Sequence, residues 1–66
     1  MSFNELDTVV ILRDYPNEGL IKGDIGVVVS VHTIPNEAYE IEFVDESGMT
    51  KAMIVLTPNE IEKYVG

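Results

Sequence analysis

The chain has 66 residues, no cysteine, and twelve acidic against four basic side chains, for a formal charge of −8. That length holds one small domain, which buries about 60% of the surface its unfolded chain exposes, and without cysteine neither a disulfide framework nor a thiolate metal site reinforces it. The charge repels phosphate backbones, whose binding rests on Lys and Arg, so direct nucleic-acid binding is disfavoured before any motif is considered.

The first residues, Met1-Ser2-Phe3-Asn4-Glu5-Leu6, carry neither the basic segment nor the apolar run of a signal peptide. No later apolar stretch approaches the ~20 residues that cross a bilayer. The expectation is a soluble, cytoplasmic protein of bacterial type with no membrane contact. Thr8-Val9-Val10-Ile11-Leu12-Arg13 has four β-branched residues in six and reads as a first strand. Its apolar residues do not alternate strictly, which fits a small sheet that curls on itself. Asp14 to Gly19 reads as a loop, with Pro16 fixing one φ and Gly19 permitting a positive one. Leu20-Ile21 then anchors that loop to the core.

Lys22-Gly23-Asp24-Ile25-Gly26-Val27-Val28-Val29 is a glycine-hinged turn opening into the longest β-branched run. Alternation puts Ile25, Val27, Val29 and Val31 on one face, the expected core face, and Gly26, Val28, Ser30 and His32 on the other; a bulge near Gly26 would change that register. Thr33 to Glu37 reads as a hairpin loop around Pro35 and Asn36. Ala38 to Val44 alternates most clearly, with Tyr39, Ile41 and Phe43 inward and Glu40 and Glu42 outward. Asp45-Glu46-Ser47-Gly48 is a tight turn with glycine at a left-handed position, and Thr50 to Leu56 is the returning strand. Thr57-Pro58-Asn59-Glu60 matches a capping box with proline at the first helical position, giving one short helical turn before a closing strand, Ile61 to Val65, beside the first. The tripeptide Pro-Asn-Glu occurs at Pro16, Pro35 and Pro58, but the flanking residues differ, so turn and cap chemistry rather than an internal repeat accounts for it. The layout is all-β, a small five-stranded SH3-like barrel spanning residues 1–66 as a single domain.

Two resemblances attach to these residues. The turn Gly23-Asp24-Ile25-Gly26-Val27-Val28 resembles that of KOW-type SH3-like modules of ribosomal proteins and transcription elongation factors. Those modules carry basic residues around the loop, whereas Lys22 here stands among acidic groups. Leu6 to Asp14, Pro16, Glu18-Gly19-Leu20, Lys22 to Val28, Ala38 to Asp45 and Gly48 together resemble a family of short bacterial proteins known as domain of unknown function 4926. That resemblance implies a stand-alone SH3-like protein and brings no catalytic residues with it.

No catalytic constellation stands out. His32 lacks the orienting partner and nucleophile that a base needs. Ser2, Ser30 and Ser47 have no glycine-framed nucleophile context. The carboxylates Glu40/Glu42 and Asp45/Glu46 read as a solvated acidic surface, and no Asp-x-Asp-x-Asp-Gly calcium loop is present. Proline-rich peptide binding by SH3 domains uses an aromatic-lined groove, and this chain has no tryptophan. No cofactor is called for. The leading expectation is a non-enzymatic, acidic protein-interaction module that meets a basic surface on another protein, with Tyr15, Glu40, Glu42, Asp45 and Glu46 as candidate interface residues. A narrower alternative is an antitoxin or immunity-type regulator masking a basic nuclease or nucleic-acid-binding site. Another is an accessory subunit of a larger complex. The partner's identity and the oligomeric state are left open by the sequence.

Overall fold

A computed structural model describes residues 3–66; Met1 and Ser2, the head of the segment read above for a leader, lie outside the described residues. Five strands are formed: β1 (Thr8–Ile11), β2 (Ile25–His32), β3 (Ala38–Val44), β4 (Thr50–Leu56) and β5 (Ile61–Lys63). Each pairs antiparallel with its neighbours in one sheet of order β4-β3-β2-β1-β5. The all-β expectation holds, with β4 and β5 as the open ends of the sheet. Among the described residues helix is confined to two 3-10 turns, Pro16–Glu18 and Pro58–Glu60. None of the described helices is long and apolar enough to cross a membrane.

Local chemistry accounts for the element ends. Glu60 Oε1 accepts the Thr57 N–H at 2.8 Å, so the turn before β5 starts with the carboxylate half of the expected capping box. Gly48 takes a φ of 86° in the β3–β4 turn, and its N–H donates to the Asp45 carbonyl at 3.0 Å. In the first loop a 3-10 turn was not foreseen; its Pro16 sits at the helical start and Gly19 ends it at a φ of 71°. Leu20 anchors that loop as expected and is buried, but its neighbour Ile21 is exposed. The Ile34–Pro35 peptide in the β2–β3 loop is cis.

The core lies on one face of the sheet and draws on every strand: Val9 and Ile11 from β1, Val28 from β2, Tyr39, Ile41 and Phe43 from β3, Ala52 and Leu56 from β4, and Ile61 from β5. Leu20 and Phe3 complete it. A single sheet covers its own apolar face only by bending over it, as the non-alternating first strand suggested. Phe3 packs edge-on to Tyr39 with ring centroids 5.3 Å apart, and its N–H donates to the Tyr39 hydroxyl at 3.1 Å. The Tyr39 hydroxyl in turn donates to the Glu37 carboxylate.

The expected core face of β2 is corrected. Gly26 and Val28 are buried, Val27 and Val29 are half-buried and Ile25 is exposed. Gly26 pairs with Val9 of β1, and a Cβ on it would lie 2.6 Å from Ile41 Cγ2 and 2.8 Å from Phe43 Cε1. Only a residue without a side chain lets the Ile41 and Phe43 side chains of the neighbouring strand β3 lean that closely across β2. The register then shifts between Val28 and Ser30, where an extra residue faces the Ile41–Glu40 step. Beyond this bulge the phase inverts, so Val31 packs against the core as expected while Val27 and Val29 do not. The bulge exists, three residues later than the glycine hinge suggested.

Candidate interaction surface

The outer face of the sheet follows from register. Glu42 of β3 stands opposite Val27 of β2 and Met53 of β4; Glu40 stands opposite Ser30 and Val55. Two rows therefore cross the sheet, Met53–Glu42–Val27 and Val55–Glu40–Ser30. Met53 and Val55 are 48% and 57% exposed, so each carboxylate has a solvent-facing apolar neighbour. Glu42 Oε2 accepts the Thr50 hydroxyl at 2.6 Å. Among the described residues no ion pair reaches Glu40 or Glu42: Lys51 is 3.6 Å from Asp24 and Lys63 is 3.7 Å from Asp7.

Asp45 and Glu46 lie past the end of β3 and border a shallow open depression of about 540 Å³, together with Val44, Ser47 and Lys51. Asp45 Oδ1 accepts the Ser47 N–H at 2.9 Å, the Ser47 hydroxyl at 2.7 Å and the Met49 N–H at 3.1 Å. The Ser47 hydroxyl and then the Met49 and Ser47 N–H groups hold its carboxyl below the ordinary aspartate range. Asp45 is thus bound up in shaping the turn.

Its behaviour is general. The other three aspartates also accept backbone N–H groups: Asp7 from Asn4 at 2.8 Å, Asp14 from Lys22 at 2.7 Å and Asp24 from Ile21 at 3.0 Å. Much of the acidity that the composition suggests for partners is therefore local turn chemistry. The glutamates of β3 are a different class, because they stand on a strand.

Tyr15 is placed apart from these carboxylates. It is half-buried, packs against the core, and its hydroxyl donates to Glu60 Oε2 at 3.1 Å. Burial, and then the bond to the Glu60 carboxylate, raises its pKa. At Glu60 partial burial opposes ionisation, but the Thr57 N–H and hydroxyl, Tyr15 and the nearby Arg13 outweigh it and hold the carboxyl below the ordinary glutamate range. The structure so brings Glu40 and Glu42 together, puts Asp45 and Glu46 beside each other at the end of their strand, and leaves Tyr15 on the core side.

Met53 and Val55 went unnoticed in the sequence. In β4 the apolar character continues through both faces, from Ala52 to Leu56, so the alternation that exposes Glu40 and Glu42 has no counterpart there. His32 is exposed at the end of β2, opposite Ala38, and Ser47 pairs with Asp45 without a histidine. No group of three or more potential metal ligands is gathered among the described residues.

Neither the curated proteins nor the solved structures yield a match to this chain. A family model does match, over residues 5–63, which takes in all five strands and both 3-10 turns. The chain therefore belongs to the family described as Domain of unknown function (DUF4926).

Proposed function

We propose that this chain is a non-enzymatic protein-interaction module of the bacterial cytoplasm, whose outer sheet face, centred on Glu40 and Glu42, meets a basic patch on a partner protein. The observation that carries this reading is the pairing of two carboxylates, without cationic partners among the described residues, with exposed Met53 and Val55 in adjacent positions. Apolar area supplies contact energy, and the flanking charges steer the encounter and select its sign. An SH3-like arrangement is part of the same proposal. The strand order and the 3-10 turn between β4 and β5 support it, as a bent sheet in which β4 keeps its outer edge free of β5.

The test is the association rate with a partner recovered by affinity purification from the native cell. Replacing Glu40→Lys and Glu42→Lys should slow association about tenfold at low salt and flatten its dependence on ionic strength. An unchanged rate and salt slope in the doubly reversed protein would overturn the reading.

A further inference from the structure

β4 ends the sheet with seven residues, and among the described residues no strand pairs with its outer edge. β5, at the opposite end, has only three. Exposed edges of that length are normally guarded by proline, by charges or by distortion, because alternate N–H and carbonyl groups otherwise offer a template for another strand. β4 contains no proline, its one charge, Lys51, is drawn toward Asp24, and its one register shift, at Lys51, leaves Ala52–Leu56 in unbroken register with β3. Its outward side chains include Met53 and Val55. The next strand in carries Glu42 and Glu40 directly opposite those two residues.

We propose that the β4 edge binds an extended segment of another protein by strand addition, and that this segment alternates Lys or Arg with apolar residues. The inference rests on the reading above and adds the mode and the sequence pattern of the partner. A strand added to β4 would lie ~4.8 Å away, and β3 a further ~4.8 Å. A Lys or Arg side chain can lay its methylene stem across Met53 or Val55 and bring its charge to Glu42 or Glu40 beyond. The backbone supplies affinity and the carboxylates select for basic residues at alternate positions. A second copy of this chain is the wrong occupant, because each copy has a formal charge of −8 and β4 offers only Lys51 as a cation.

The probe is the blocked heptapeptide acetyl-Lys-Val-Lys-Val-Lys-Val-Lys-amide, titrated into the isotope-labelled protein and followed by amide shifts and hydrogen exchange. Two analogues are N-methylated, one at the valines and one at the lysines, so that each loses the donors of one edge. The parent peptide should slow exchange at alternate amides of the regular part of β4, Ala52–Leu56, at least one analogue should bind at least tenfold more weakly, and Glu40→Lys with Glu42→Lys should weaken the parent. Shifts around Glu40 and Glu42 with both analogues binding like the parent would overturn strand addition while leaving the acidic-face reading standing. No shifts at all would also overturn strand addition, and the association rate with the natural partner then decides the acidic-face reading separately. A dimer in sedimentation equilibrium whose β4 amides gain protection with concentration would overturn the proposal by giving the edge to a second copy.

Discussion

The Tyr15 hydroxyl donates to Glu60 Oε2 at 3.1 Å, joining the first loop to the last turn across forty-five positions of sequence. Glu60 Oε1 accepts the Thr57 N–H that starts that turn. One carboxylate so caps the approach to β5 and fastens the Pro16 loop above it, which also pairs Tyr15 with Leu20 around the buried Leu20 side chain. Hydrogen bonds to a charged group contribute more than neutral ones, and partial exposure reduces the gain. Tyr15→Phe should therefore lower stability by about 1 kcal/mol, seen as a fall of roughly 4–8 °C in Tm for a domain this small. An unchanged Tm would show that the contact adds nothing in solution.

The same carboxylate predicts a pH dependence. Glu60 is held below the ordinary glutamate range in the folded chain, so the stability it contributes is complete above the unfolded value and is lost as pH falls through the folded one. The gap in Tm between the parent and Glu60→Gln should thus be widest near neutrality and close in acid. Thermal denaturation of both proteins between pH 7 and pH ~3 reads this directly. A gap that stays constant or widens in acid would contradict the assigned ionisation.

Gly26 gives the sharpest packing prediction. Ile41 Cγ2 and Phe43 Cε1 sit at 2.6 and 2.8 Å from where a Cβ would be, and the Glu42 carbonyl oxygen at 3.0 Å. Both side chains are fully buried and cannot swing away, and the third neighbour is backbone. Gly26→Ala should cost ~1–3 kcal/mol from overpacking, and Gly26→Val more. Denaturant midpoints measure the loss. The glycine is required by the ring and methyl above it, since its own φ lies outside the left-handed region.

How much of this was legible varies with how the sequence encodes each part. β3 could be read residue by residue, because Tyr39, Ile41 and Phe43 alternate with Glu40 and Glu42 and the turn after it is marked by Asp45 and Gly48. The capping of the final turn was legible from Thr57 and Glu60 for the same reason: local chemistry at fixed spacing. β2 was not, because five of its eight residues are Val or Ile and a uniform apolar run carries no phase; the bulge at Val29 inverts the faces without a signal in composition. Phe3 was silent because its partner, Tyr39, is thirty-six positions away. The apolar flank of the acidic face was likewise hidden in β4, where Met53 and Val55 look like core.

Phe3 invites its own test. Its ring is buried and packs edge-on against Tyr39. Truncating a buried phenylalanine costs ~3–5 kcal/mol. Phe3→Ala should destabilise by about 3 kcal/mol, while Phe3→Leu should lose roughly half as much, since it keeps apolar volume and forfeits the edge-on ring contact. Equal stability of all three proteins in urea would show that the segment is not docked.

Among the described residues, Leu6 is the one non-glycine residue with a positive φ. The Asp7 N–H donates to the Asn4 carbonyl at 3.0 Å, closing a turn whose third residue is Leu6, with a φ of 74°. That region costs a side-chain-bearing residue roughly 1–2 kcal/mol, and turns of this form favour Gly or Asn there. The leucine side chain is 80% exposed, so little packing offsets the strain. What holds it is the backbone: the Leu6 N–H donates to the Val28 carbonyl at 2.7 Å, and the Val28 N–H to the Asp7 carbonyl at 2.9 Å. Leu6→Asn keeps both bonds and tolerates the left-handed conformation, and should raise stability by about 1 kcal/mol. Leu6→Gly should gain less, because glycine also increases the freedom of the unfolded chain. A Tm order of Asn above Gly above Leu supports that account, and a loss in the Asn variant would mean that Leu6 is buried by a contact in solution.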